Sequence, residues 1–463
     1  METLQRTANR GSISTGFDID NSVVFETANS ERVYRANGNT GQRRTFTISA
    51  WVKRTALGYH RTFGVGVSGS NQMVIYFKDT HEIVWYDYHG GSYSFNYKTN
   101  RLFRDTSAWY HLVFAVDTEQ GTEANRVRLY VNGVEETSFA TQTEPSQNRE
   151  TNWNYANGSK DVGNILNEAP FASCYMSEVY HINDQQLAPT DFGEFDDDTG
   201  IWKPKEFSGT FGSEDSYLNF DSSGSMGADS SGNSNDFTLS NITSADQATD
   251  TPTNNFCTLN PLMNNTGNYL AITEGGTRAT VATTAYKTAA SSIGVSSGKW
   301  YWEVKLTNMN TITAMGVTMP YYWDTDYTFG GCVYYGQPAQ RYNNSSASFY
   351  GATYATGDII GFALDMDATT PTMTCYKNNV SQGNLFSGLS IGGAGAALLP
   401  PKEDFYFAKL VAYGNNTFDI NFGGYTAFTI SSAASDANGY GTFEFAPPSG
   451  FYSLCSQNLA LYG

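Results

Sequence analysis

Two stretches of the chain set aromatic rings beside polar side chains: Tyr86-Asp87-Tyr88-His89-Gly90-Gly91-Ser92-Tyr93, and Pro320-Tyr321-Tyr322-Trp323-Asp324-Thr325-Asp326-Tyr327. These residue types suit sugar binding, because the C–H face of a pyranose stacks on a ring while carboxylates and imidazoles bond its hydroxyls. Both stretches are expected in loops, where binding residues concentrate. Adjacent rings at Tyr321, Tyr322 and Trp323 cannot all bury on one side of a strand, so they mark a contact surface. A subunit or interdomain interface would use the same rings. The candidate ligand-binding residues are thus Tyr86, Asp87, Tyr88, His89, Tyr321, Tyr322, Trp323, Asp324, Asp326 and Tyr327.

A third stretch, Asp229-Ser-Ser-Gly-Asn233-Ser-Asn235-Asp236, places side-chain oxygens at alternate positions of a Gly-containing loop. Hard cations such as Ca²⁺ take six to eight oxygen ligands of this kind. The same residue types also form series of Asx-turns that cap their own backbone. Asp229, Asn233, Asn235 and Asp236 are the candidate calcium ligands, and no other cofactor is expected.

Enzymatic chemistry finds little support. Glycosidases on β-sandwiches need two carboxylates held on one strand face, but no Glu-x-Asp-x-Glu run occurs, and the nearest acidic stretch, Glu194-Phe-Asp-Asp-Asp, sits in a Gly-flanked segment. All five histidines (His60, His81, His89, His111, His181) lie before residue 182, so the rest of the chain lacks an imidazole base or ligand. No HExxH helix or P-loop is present, and no nucleophile elbow is expected. The five cysteines are widely spaced without a CxxC pair and read as buried free thiols.

The elements that must carry these residues are strands. Of 463 residues, 15% are aromatic and 16% charged, with 45 Gly and 31 Tyr, a composition for strands and turns in two or three domains. The net charge of −18 excludes nucleic acid as the main partner. Bases nevertheless crowd the start, and Arg6, Arg10, Arg43 and Arg44 are candidates for anchoring on an acidic protein surface. Met1 to Arg10 has no apolar segment and no later run approaches a membrane span, so neither export nor membrane insertion is expected. Alternation in Thr45–Val52 puts Phe46, Ile48 and Ala50 on one face, and in Trp109–Val116 it groups Leu112, Phe114 and Val116. Asn132-Gly133 predicts a tight hairpin.

Phe46-Thr-Ile-Ser-Ala-Trp-Val, Trp109-Tyr-His-Leu-Val-Phe, Val127-Arg-Leu-Tyr-Val-Asn-Gly and Met176-Ser-Glu-Val-Tyr-His-Ile occur in the order and spacing of laminin-G-like, concanavalin A-like sandwiches, which residues 23–195 resemble. Lys299-Trp-Tyr-Trp-Glu-Val, Gly357-Asp-Ile-Ile-Gly-Phe and Tyr376-Lys-Asn-Asn resemble a SPRY domain, assigned to residues 260–430. Between them, residues 196–259 are rich in Asp, Ser and Gly and read as a connector with a small β insert; residues 1–22 read as an anchoring arm and 431–463 as a tail. The expected fold is all-β, with two jelly-roll-type antiparallel β-sandwiches, concanavalin A-like and then SPRY.

The opening Thr7-Ala-Asn-Arg-Gly with Gly16-Phe-Asp-Ile-Asp, the tail Phe443-Glu-Phe-Ala-Pro-Pro and this domain pair together resemble virion structural proteins of marine bacteriophages of the cyanophage and pelagiphage kind. The resemblance implies a non-enzymatic tail-fibre, spike or capsid-decoration subunit, on a virion assembled in the host cytoplasm. Its partners would be other virion proteins, a host-surface glycan or receptor, and copies of itself, with a trimer as the expected homo-oligomer. A free-standing lectin or adaptor is the alternative, and a polysaccharide hydrolase the third reading.

Overall fold

Apolar residues at every second position leave a strand with one face to bury, and two such faces pressed together make a sandwich. The computed structural model describes residues 16–37, 41–262, 269–320, 331–343, 346–387 and 405–463. It divides into two compact units, one of residues 14–253 and one containing residues 254–463. Both are built from antiparallel sheets, as the sequence predicts, and among the described residues the one α-helix is Ser456–Tyr462. No helix among them is long and apolar enough to cross a membrane.

In the first unit one sheet runs Val134–Glu135, Val127–Val131, Tyr110–Asp117, Thr45–Arg54, Cys174–Asn183, Ser22–Phe25 and Gln247–Ala248, with Ser216–Leu218 also paired to Cys174–Asn183. Phe46, Ile48 and Ala50 stand opposite Val116, Phe114 and Leu112, the two predicted apolar faces in one register. The second sheet runs Phe139–Thr143, Ser92–Thr99 (β5), Ile83–His89 (β4), Asn71–Phe77 (β3), His60–Ser68 (β2), Ser159–Val162 (β6), Arg32–Ala36 (β1) and Thr238–Ser240. Phe63, Met73, Ile75, Trp85 and Phe95 from this sheet meet Phe46, Ile48 and Phe114 from the other in a single core. Each buried large side chain contributes about 1.5–3 kcal/mol of transfer free energy. Asn132 and Gly133 turn with φ of 48° and 79°, and a Cβ on Gly133 would lie 2.3 Å from the Trp202 ring.

The Asp/Ser/Gly-rich stretch after residue 195 adds strands to both sheets of this first unit, through Ser216–Leu218, Thr238–Ser240 and Gln247–Ala248. Its sparse aromatic residues decide where it goes. Phe207, Phe211 and Tyr217 cluster with Tyr180 and Phe192 on the outer side of the first sheet, and Tyr180 stacks on Tyr217 at 4.3 Å and 3°. Trp202 donates Nε1–H to His111 Nδ1 at 3.0 Å, and Trp51 stacks on the imidazole at 4.8 Å.

In the second unit, an eight-stranded sheet centred on Lys299–Asn308 and Ile359–Asp365 and a six-stranded sheet centred on Thr313–Thr318 enclose Trp300, Trp302, Met315, Phe362 and Leu410. Asn378 and Asn379 make a left-handed hairpin turn, at φ 46° and 66°. The tail is part of this fold: Tyr452–Ser453 pairs in parallel with Trp300–Tyr301. The buried Glu303 carboxylate accepts the backbone N–H groups of Glu444 and Phe445 at 2.9 and 2.8 Å. All five cysteines are buried free thiols.

Candidate functional site

In β4, Ile83, Trp85 and Asp87 point into the core, which turns Val84, Tyr86 and Tyr88 to the outer face of the sheet. The same alternation turns Gln72, Val74 and Tyr76 outward from β3. Tyr59 meets Tyr76 at 4.7 Å, Tyr76 meets Tyr86 at 6.3 Å, Tyr86 meets Tyr93 at 5.4 Å and Tyr93 meets Tyr88 at 5.0 Å, each edge to face. Tyr93 is 52% exposed and the other four rings are half-buried. Burial and neighbouring phenols push Tyr76 up to about 12 and raise Tyr86, so both keep their O–H as a donor. At one end Arg61 donates to Tyr59 Oη at 3.2 Å and pairs with Glu168 at 3.1 Å.

The structure thus keeps two of the four residues predicted from the first stretch on one open face and corrects the others. The segment is a strand, with the loop confined to the Gly90-Gly91 turn, so Asp87 falls on the core side. It is fully buried, with Oδ1 taken by Asn152, and cannot touch a ligand on the tyrosine face. His89 ends the strand half-buried, its ring 5.8 Å from Tyr155. Tyr321, Tyr322, Trp323, Asp324, Asp326 and Tyr327 lie outside the described residues, as do Arg6 and Arg10. Arg43 and Arg44 sit on the sandwich itself: Arg43 covers Tyr155 at 4.5 Å and pairs with Glu150, and Arg44 pairs with Glu119 and Glu150.

The Asp229 loop is turned inward on its own backbone. Asp229 Oδ1 accepts the N–H groups of Tyr217 and Ser231, and Oδ2 accepts Ser231 Oγ–H and Asn235 N–H. Asp236 accepts Asp229 N–H, while the amides of Asn233 and Asn235 both donate to the Asp215 carbonyl. The Ser231 bonds to Asp229 are those of an Asx-turn, and the others tie the loop to itself, to Tyr217 and to Asp215. Among the described residues no group of three or more His, Cys, Asp or Glu side chains is arranged to hold a metal.

Two depressions flank these elements. One, of about 300 Å³, is lined by Arg32, Tyr34, Ala36, Gly66, Ser159 and Leu166 on the outer side of the second sheet. The other, of about 490 Å³, has Asn154, Asn183 and Asp215 on its floor. There Asn154 donates to Asn183 and Asn183 donates to Asp215, at 2.7 and 2.9 Å, so the floor's amides serve one another. Two Gly-x-Ser-x-Gly strings occur in the second unit. Gly294–Gly298 joins two strands, Tyr286–Val295 and Lys299–Asn308, where a nucleophile elbow joins strand to helix, and Gly388–Gly392 lies outside the described residues.

Tyr59, Tyr76 and Tyr34 escaped the sequence reading, because cross-strand neighbours depend on register, while Tyr93 closed the first stretch without being singled out as a ligand contact. The signal available was Tyr at alternate positions in the runs Val74-Ile-Tyr76 and Val84-Trp-Tyr86.

Residues 27–180 match the family model of the concanavalin A-like lectin/glucanases superfamily, and residues 299–423 match that of the SPRY domain. Among solved structures, the SPRY domain of human HERC1 is similar at 20% identity, over 32% of this chain and 89% of that one, with a TM-score of 0.27. The heptameric SAP-like pentraxin of Limulus polyphemus is similar at 18% identity, over 37% and 80%, with a TM-score of 0.27. A Bacteroides ovatus protein named as a candidate carbohydrate binding protein is similar at 17% identity, over 37% and 45%, with a TM-score of 0.28. A search of curated proteins gave no match.

Proposed function

We propose that this chain is a non-enzymatic binding protein whose first unit holds a glycan on the outer face of its second sheet. The observation that carries the reading is the run of Tyr59, Tyr76, Tyr86, Tyr93 and Tyr88 across adjacent strands. Neighbouring rings stand at 63° to 81°, so they form grooves for a single chain and not the flat platform that a crystalline polysaccharide surface requires. The concanavalin A-like lectin/glucanase match over residues 27–180 supports the same reading. Against hydrolysis, the inward turn of Asp87 and the pairing of Glu168 with Arg61 leave these two carboxylates without an acid–base role at the rings. Calorimetry with a glycan panel tests the proposal: Tyr86→Ala and Tyr93→Ala should each weaken binding roughly ten-fold or more, and unchanged affinity in both sinks it.

We further propose that the chain does this on a virus particle, as a fibre, spike or decoration subunit, with copies of itself and other virion proteins as neighbours. The resemblance of its two ends and its domain pair to marine phage structural proteins is the support. A mass-spectrometric inventory of purified particles lacking this chain would refute the placement.

A further inference from the structure

The tyrosine face and the 300 Å³ groove belong to one line across the sheet. Tyr93 is paired with Tyr88, Tyr88 with Gln72, Gln72 with Gly66, Gly66 with Ser159 and Ser159 with Ala36, one residue from each of β5, β4, β3, β2, β6 and β1. The parallel row runs Tyr86, Val74, Gly64, Asp161, Tyr34. Because the side-chain period of a strand is two, every member of both rows points to the same side as Tyr86. Gly66, Ser159 and Ala36, which close the first row, also line the groove.

The groove has the chemistry of a site for one sugar. Arg32 covers the Tyr34 ring at 4.1 Å, and Ala36, two residues further along the strand and on the same side, brings only a methyl group. Val67 and Leu166 form an apolar wall, while Ser159 Oγ and the exposed Asn157 carboxamide supply polar contacts. Its volume lies at the lower end of small-ligand sites, about 300–1,000 Å³. Between groove and rings stands a ridge, Ile165-Leu166, that fits the sheet because Gly64 and Gly66 lie beneath it. A Cβ on Gly64 would come within 2.6 Å of Ile165.

The charge of the bound chain follows from the ion pairs. Arg32 is matched by Asp161 at 2.8 Å and Arg61 by Glu168 at 3.1 Å, so neither arginine presents an uncompensated charge to a ligand carboxylate. We propose that the groove is the terminal subsite of an extended binding line that takes a linear, neutral glycan of about six sugars running across the strands. This rests on the glycan-binding reading above. Five inter-strand spacings, about 24 Å in all, separate β5 from β1, and a pyranose repeat is about as long as one spacing. A short chain reaches the rings alone. A chain of about six units also fills the groove, and the second contact then acts at high effective concentration.

Calorimetry with cello-, manno- and laminari-oligosaccharides of two to eight units tests this. In the best-bound series the affinity should rise at least ten-fold between three and six units and then level off. Ala36→Trp, which fills the groove from an exposed position, should abolish that rise while leaving trisaccharide binding unchanged, and Tyr34→Ala should do the same. Tyr93→Ala should weaken both lengths. Thermal melts of each variant separate loss of fold from loss of the subsite. A length dependence in Ala36→Trp and Tyr34→Ala equal to that of the unaltered protein overturns the subsite and leaves the glycan-binding reading standing. Oligogalacturonates binding more tightly than every neutral series overturn the neutral ligand. Absence of binding by all series overturns both.

Discussion

Asn152 donates twice to the same oxygen of Asp87, from its backbone N–H and from Nδ2, each at 2.8 Å. The arrangement leaves two buried acceptors, Asp87 Oδ2 and Asn152 Oδ1, without a donor in good geometry. Burial raises the Asp87 carboxyl above its ordinary range, and Asn152, Ser94 and Arg149 only partly oppose this. A carboxyl raised by folding holds its stabilisation below the unfolded pKa and loses it as pH rises through the folded value. Asp87→Asn should therefore cost less than about 1 kcal/mol near neutrality and flatten the decline of stability with pH, while Asp87→Ala should cost about 1–3 kcal/mol. Denaturant unfolding from about pH 4 upwards reads both.

Lys160 is buried in the same unit with its Nζ lacking a hydrogen-bond acceptor and resting 4.3 Å from the centre of the Trp153 ring. Burial and Arg35 push its amine down to about 7, against the pull of Glu214 and Asp215, and neutral His181 lies beside it. Here folding lowers the pKa of a base, so the penalty is present below the folded value and is relieved as pH rises from about 7 towards 10.5. Lys160→Met should raise stability at pH 7 by on the order of 2–3 kcal/mol and remove the upward slope with pH. A less stable Lys160→Met protein would mean that the ammonium–Trp153 contact outweighs desolvation.

His111 packs against Trp51 and accepts a hydrogen bond from Trp202, and its full burial lowers it to about 3. With Trp202 Nε1–H donated to Nδ1, the remaining proton sits on Nε2 and faces Ser49 Oγ at 2.9 Å. The unfolded chain takes up a proton below about pH 6.5 that the folded one refuses until about 3, so stability falls across that window on acidification. Trp202→Phe deletes the donor and replaces the indole by a smaller ring, and should cost about 2–4 kcal/mol at neutral pH. Chemical denaturation of the two proteins measures it.

Glu303 ties the tail to the second unit through two backbone N–H groups, with Asn421 donating to the same carboxylate at 3.2 Å. Glu303→Leu leaves those donors unpaired. Limited proteolysis should then cut within residues 431–463 at least several-fold faster, with Glu303→Gln intermediate because it retains an acceptor. Equal cutting rates in all three proteins would show that Phe443 packing on Tyr301, at 5.2 Å, holds the tail without the carboxylate.

Much of the fold was legible wherever one strand carried its own evidence. The facing triads Phe46/Ile48/Ala50 and Leu112/Phe114/Val116 and the Asn132-Gly133 turn are local patterns, and they appear where the sequence puts them. The binding face was legible only in part, because Tyr59, Tyr76, Tyr86 and Tyr93 become neighbours through the register of successive hairpins, which no single strand reveals. Asp87 shows the opposite error: the glycines at 90 and 91 drew the loop back over Tyr86–His89, whereas the strand runs through His89 and its alternation turns the carboxylate into the core. In residues 196–253 the Asp, Ser and Gly content described the surface, while Phe207, Phe211 and Tyr217 determined the docking.

The buried thiols have a practical consequence. Burial raises Cys174 and Cys375 and pushes Cys332 and Cys455 up to about 12, and Cys257 is equally enclosed, so none presents a ready thiolate at neutral pH. A cysteine introduced at exposed Ser70, in the turn between β2 and β3, would react with a maleimide ahead of all five native thiols. The unaltered background can thus carry a single fluorophore or gold cluster at a chosen point, without first removing any native cysteine.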